Sequence, residues 1–269
     1  MINNNVKNTR PLIHCITNYV TVNDVANILL SAGASPAMAD CKEEVRELAS
    51  ISSALYINIG TPNERTLESM IIAAKTANEN NIPVVLDPVA VGVSAFRKLC
   101  VSRILNESKV SVIRGNISEI KAIALNQKST SGVDAQDEDQ ISEKNLDSII
   151  SLAKSLSKQT KAIIAISGEQ DIICDENKCT ILNNGNSMMA NITGAGCMLT
   201  SLIAAHVASN PNYFNATVTA MAQMGIAGEI ANELLKEREG NSSYRNHLID
   251  TIAFLDTEKI KERVNYEIL

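Results

Sequence analysis

Ile82-Pro83-Val84-Val85-Leu86-Asp87-Pro88 is the stretch whose reading decides the fold. Its apolar residues run on without polar alternation, the mark of a strand covered on both faces, and a charged Asp followed by Pro ends it. Four more runs read the same way: Pro11–Ile16, Ala54–Ile59, Val110–Ile113 and Ala162–Ile166. Thr21–Ala32, Arg65–Asn80, Ile117–Leu125 and Leu146–Ser157 between them read as helices. Strands alternating with helices predict βαβ units and a mostly parallel central α/β sheet. Asp171–Cys174 and Lys178–Leu182 read as a hairpin. From Thr193 onward only helical patterns are expected, at Cys197–Ser209, Ala216–Lys236 and Arg245–Phe254. The polar stretch Gln127–Lys144, with Asp134, Asp137, Glu138 and Asp139, reads as a solvated loop or helix start.

Composition narrows the class. The 269 residues are 45% hydrophobic and 20% charged, enough apolar material for a large core. An α/β layer fold can take this length as one unit, so residues 1–269 are expected to form a single domain. A net charge of −6 and an aromatic content of 3% argue against nucleic acid, which calls for a basic face or stacking platforms. No apolar run approaches the roughly 18 residues of a membrane span, and the polar N-terminus lacks a signal-peptide core. A cytoplasmic location is the expectation. Its reducing conditions, with no close cysteine pair of the zinc or redox kind, predict free and mostly buried thiols.

The residues that terminate the strands are informative. Thr17-Asn18, Gly60-Thr61-Pro62, Asp87-Pro88, Arg114-Gly115-Asn116 and Ser167-Gly168 all fall at the carboxyl ends of the runs. In a parallel sheet those ends share one edge, where such folds bind ligands. The sharpest local feature is Asn191-Ile192-Thr193-Gly194-Ala195-Gly196-Cys197, which leads straight into an apolar helix. Two glycines permit a tight turn, and the helix behind them offers free N–H donors and the positive dipole end, a site for an anion. A dinucleotide fingerprint needs a small residue where Leu199 stands, and no Gly-Lys-Ser/Thr exists for a Walker loop. A Cys197–His hydrolase finds no support. His206 is nine residues along the same helix, roughly 900° round and so on its opposite side. His14 and His247 cannot be placed from the sequence.

At this point the chain resembles the hydroxyethylthiazole kinases of the ribokinase-like superfamily over nearly its whole length. The resemblance is carried by Pro11–Asn18, Ser35–Ala39, Asn58–Thr61, Asp87–Val89, Val112–Asn116 with Glu119, Gly132–Asp134, Ser167–Glu169 and Asn191–Cys197. It implies a ribokinase-like sheet with helices on both faces. It implies transfer of the ATP γ-phosphoryl group to the primary hydroxyl of 4-methyl-5-(2-hydroxyethyl)thiazole, for thiamine phosphate synthesis or salvage. Mg²⁺ and a homotrimer with pockets between subunits come with it. By the same resemblance Met38, Gly194 and Asn18 would meet the thiazole, while Arg114, Ser167 and Asn116 would serve ATP. Asp87 and Glu119 would place Mg²⁺ through water, and Cys197 would sit beside the reacting hydroxyl. A helix start lowers a thiol's pKa, so Cys197 is expected to supply some thiolate as base. Where the family usually has Gly then Ala-Thr, this chain reads Ala90-Val91-Gly92-Val93-Ser94.

Three alternatives stay open on the sequence: a sister kinase acting on a pyrimidine or sugar alcohol, an ATP-dependent dehydratase of the same fold, and a nucleotide-binding module without catalysis. The cysteine at 197 and the Met38 motif favour the thiazole over the first. Asp87, Arg114, Glu119 and the complete Gly194–Cys197 turn argue against the last.

Overall fold

The computed structural model describes residues 1–127 and 145–269. The acidic stretch after Gln127 and the Gly132–Asp134 motif lie outside the described residues. The strands are β1 Leu12–Ile16, β2 Ser35–Met38, β3 Ala54–Asn58, β4 Val84–Asp87, β5 Val112–Asn116, β6 Ile163–Ser167, β7 Asp171–Cys174, β8 Cys179–Leu182 and β9 Tyr266–Ile268. They form one sheet in the order β2-β1-β3-β4-β5-β6-β7-β8-β9. The first six are parallel and the last three antiparallel.

The helices are α1 Val6–Thr9, α2 Val22–Ala32, α3 Val45–Ile51, α4 Glu64–Glu79, α5 Ala95–Glu107, α6 Ile117–Gln127, α7 Leu146–Thr160, α8 Ala195–Ala208, α9 Tyr213–Leu234, α10 Asn241–Ile252 and α11 Thr257–Arg263. They cover both faces of the sheet. Successive strand side chains point to opposite faces. Tyr56, Val85, Val112 and Ala165 therefore pack under the α2, α8, α9 and α10 layer. Their neighbours Leu55, Ile57, Leu86, Ile113 and Ile164 pack under the α3–α7 layer. Double coverage explains why the central runs lack alternation.

Three elements depart from the sequence reading. β2 is an edge strand of four partly exposed residues containing Pro36, too short and polar to show a buried run. β9 corrects the expectation of no strand after Thr193: three exposed residues pair with β8 at the far edge. Cys174 and Cys179 form a disulfide across the β7–β8 hairpin, where the register sets their Cα atoms 4.2 Å apart. That corrects the expectation of free thiols throughout. Cys15, Cys100 and Cys197 are buried free thiols, and Cys41 is exposed. No helix among the described residues is long and apolar enough to cross a membrane.

Candidate active site

The carboxyl ends of β1, β3, β4, β5 and β6 face the first turn of α8. Gly194 caps that helix at φ +88°, a left-handed conformation that suits glycine, and no side chain caps the turn. A Cβ at Gly194 would lie 2.8 Å from Thr21 Cγ2, so the turn closes only with hydrogen there. Cys197 follows in the first helical turn and is buried.

Side chains from the strand ends converge on this turn. Asn18 donates from Nδ2 to Asn58 Oδ1 at 3.0 Å and reaches Cys197 Sγ at 3.4 Å. Asn58 Nδ2 lies within bonding reach of Tyr56 OH (2.8 Å), Asp87 Oδ2 (3.2 Å) and Cys197 Sγ (3.3 Å). Tyr56 donates its hydroxyl to the Cys197 carbonyl at 3.2 Å. Thr200, one turn beyond Cys197, donates to Asp87 Oδ2 at 2.8 Å. Arg114 bonds Ser167 through Nη2, and its Nη1 stands 3.9 Å from Asp87 Oδ2.

The electrostatics follow from burial. Asp87 is 1% exposed, and its Oδ1 has no hydrogen-bond partner. Burial pushes its pKa up to about 6, against the pull of Arg114 and with a smaller push from Glu119. Burial, reinforced by the Asp87 charge, also raises the Cys197 thiol. Burial thus works against the expected thiolate base and favours the neutral thiol at Cys197. None of the three histidines partners it. His14 bonds the Ala39 carbonyl, His206 bonds Gln223, and His247 bonds Glu239.

Glu119 is committed to main-chain groups. Its Oε2 accepts from Asn116 N and its Oε1 from Ala90 N, both at 2.8 Å, while Asn116 Oδ1 accepts from Glu119 N. The Asn116–Glu119 part is a reciprocal cap at the start of α6. Each oxygen keeps a lone pair, so Glu119 fits an outer, water-linked partner of a cation. The unpartnered Asp87 Oδ1 is the one oxygen here that fits a direct ligand. No group of three or more His, Cys, Asp or Glu among the described residues is set to hold a metal. The donor set fits Mg²⁺, which keeps its waters and takes its other ligands from phosphate.

Beside this edge lies a cavity of about 270 Å³ lined by Met38, Thr17, Tyr19, Asn58, Thr61 and Met70, among others. Asn58 belongs both to the cavity wall and to the Cys197 cluster, so pocket and turn meet at one side chain.

A sequence profile of the Hydroxyethylthiazole kinase family matches residues 4–258. The chain belongs to the hydroxyethylthiazole kinase family. The hydroxyethylthiazole kinase of Clostridium acetobutylicum is 52% identical over 98% of this chain and 97% of that protein. The hydroxyethylthiazole kinase of Clostridium tetani is 50% identical over 96% and 93%. Among solved structures, the hydroxyethylthiazole kinase protein from Pyrococcus horikoshii OT3 superposes with a TM-score of 0.87 at 31% identity, covering 98% of this chain and 96% of that one. An ADP/ATP-dependent NAD(P)H-hydrate dehydratase from Bacillus subtilis shares the fold alone, at TM-score 0.59 and 14% identity over 91% and 90%.

Within this hydroxyethylthiazole kinase fold, sequence reasoning missed the connecting residues. Tyr56 sits inside an apolar strand and Thr200 inside an apolar helix, where they read as core, while Asn58 opens one of the stretches that carry the resemblance but received no role of its own. Asp171 was also missed. It is buried at the start of β7 and accepts from Gly168 N at 3.1 Å, holding the turn that carries Ser167. Burial raises its pKa from 3.8 to about 7. Between these values the folded chain keeps a proton that an unfolded Asp has released, so this group's contribution to stability falls as pH rises through the window. Asp171→Asn keeps an acceptor for Gly168 and removes the charge. Its melting temperature is expected to exceed wild type by a few degrees at pH 8, at roughly 2–4 °C per kcal/mol, and to match it near pH 4. Thermal unfolding at the two pH values checks this.

Proposed function

We propose that the chain transfers the γ-phosphoryl group of ATP to the primary hydroxyl of 4-methyl-5-(2-hydroxyethyl)thiazole, in thiamine phosphate synthesis or salvage. Family membership supports the reaction. The observation that carries its location is the junction at Asn58, where a pocket of mixed polar and apolar lining meets an uncapped helix turn. Residues 1–269 act as one catalytic unit, and we place it in the cytoplasm.

The thiazole occupies the cavity, with the adaptable thioether of Met38 against its ring. Asn18 and Gly194 flank the hydroxyethyl arm. Arg114 and Ser167 take the nucleotide phosphates, with Asn116 beside them. The planar Arg114 fork suits phosphate oxygens. Phosphoryl transfer passes through a loose transition state, so positioning and charge stabilisation dominate. The N–H groups of the Gly194–Cys197 turn, with Arg114, stabilise charge on the group in flight. Asp87 and, through water, Glu119 would hold Mg²⁺, which when bound neutralises phosphate charge. Cys197 Sγ, fixed by Asn18 and Asn58, accepts a hydrogen bond from the substrate hydroxyl and aligns it. Such an aligning role predicts about a tenfold loss of kcat in Cys197→Ala. In Cys197→Asp activity is retained, because the two amide donors suit a carboxylate equally. Steady-state kinetics of both variants checks this.

The pocket's Tyr19 is 79% exposed and Met38 37%, apolar surface that a neighbouring copy would cover. This supports a homotrimer with pockets between subunits, which light scattering tests. The function itself is tested by a coupled assay for ADP across a panel of alcohols. ADP release with the thiazole alone is expected. No release with it overturns the reading.

A further inference from the structure

Three neighbouring loops leave the carboxyl ends of β3, β4 and β5, and two side chains join them. Arg97, in the first turn of α5, donates from Nη1 to the carbonyls of Ile59 and Val89, each at 2.7 Å. Its Nη2 donates to the Gly60 carbonyl at 2.7 Å. Glu119 accepts from Ala90 N and Asn116 N. The Val89 carbonyl and the Ala90 N–H belong to one peptide unit. That unit is therefore gripped from both sides, by a cation on its oxygen and an anion on its nitrogen. Ala90 has φ +54°, a left-handed conformation uncommon for a residue with a Cβ. Such a conformation persists when its surroundings over-determine it, and Arg97 and Glu119 do so here.

We infer that Arg97 is a positioning residue that locks the β3 loop of the substrate pocket to the β4 loop behind Asp87. The clamp reaches the site through Gly60. The Gly60 carbonyl is held by Arg97, and its N–H donates to Asn58 Oδ1 at 2.8 Å. Thr61, the next residue, lines the cavity. A rigid guanidinium fork meets three carbonyls at once, whereas an ammonium is a point charge on a flexible stem. Without Arg97 the Val89–Ala90 peptide keeps Glu119, so the larger loosening falls on the pocket side. The consequence for turnover rests on the proposed thiazole reaction; the clamp itself does not.

The test compares wild type with Arg97→Ala and Arg97→Lys. Without substrates, amide hydrogen exchange in segments 59–63 and 89–94 is expected to quicken about tenfold or more in both variants, with α4 and α8 unchanged. With substrates, KM for the thiazole is expected to rise about tenfold while KM for ATP stays within about threefold. Guanidinium chloride at low millimolar concentration restores Arg97→Ala in part, and sodium chloride does not. Unchanged exchange in the two segments overturns the clamp, as does an equal rise in both KM values. A wild-type chain that fails to phosphorylate the thiazole defeats the functional reading and leaves exchange to decide the clamp. Should Arg97→Ala fail to fold, Arg97→Lys gives the same readings.

Discussion

Gly196→Ala is expected to lower kcat/KM for ATP by about 100-fold, equivalent to ~2.7 kcal/mol of lost transition-state stabilisation. A Cβ built on Gly196 overlaps the Arg114 guanidinium, with Arg114 Cζ and Nη2 each at 3.1 Å. The atoms it strikes are the far end of a flexible side chain, so the side chain yields and the fold does not. Alanine also suits a helix first turn better than glycine, by up to about 1 kcal/mol. The melting temperature should therefore hold or rise slightly while nucleotide handling fails. That divergence is the signature of the clash. Calorimetry together with ATP titration kinetics checks it, and an unaltered KM for ATP would remove Arg114 from the phosphate site.

Asp87→Asn is the second large effect, a loss of kcat on the order of 10²–10³-fold. Oδ2 of Asp87 receives Thr200 and Asn58, so an amide must turn its oxygen to that side. Its NH₂ group then replaces the unpartnered Oδ1, putting two donors where a cation or another donor belongs. The charge that offsets Arg114 is lost as well. Stability should stay level or improve, because the buried carboxylate was held against desolvation. In wild type kcat/KM is expected to decline below about pH 6, where the free enzyme's Asp87 takes up a proton, and the variant should lack that limb. A pH–rate series on both proteins reads the difference.

How much of the fold and the site is legible in the sequence depends on where polarity shows. The five central strands stood out because double coverage strips them of polar residues, and their polar endings marked the edge that meets the first turn of α8. The edge strands β2 and β9 escaped because exposure removes the apolar signal. Asn58 and Thr200 were hidden for the opposite reason: single polar residues in apolar runs look like tolerated exceptions until their partners are known. A buried amide needs several partners, and that requirement is the signal that could have flagged Asn58. The place of Cys197 in the first turn of a helix was legible, yet the burial that raises its pKa was not, since helix position is visible in sequence and desolvation is not. The Cys174–Cys179 bond escaped because an argument from compartment stood in for hairpin register. It closes a short loop, which in the chain-entropy account contributes only about 2 kcal/mol.

The turn and the strand ends that face it are far apart along the chain: Asn18 and Cys197, in contact, are 179 positions apart. All six parallel strands precede α8. During synthesis the ribosome thus delivers the parallel strands well before the turn that their ends face. A nascent polypeptide stalled or cleaved short of residue 194 would lack both the Gly194–Cys197 turn and the α8, α9 and α10 layer that covers one face of the sheet, so unfinished copies are expected to be chemically silent.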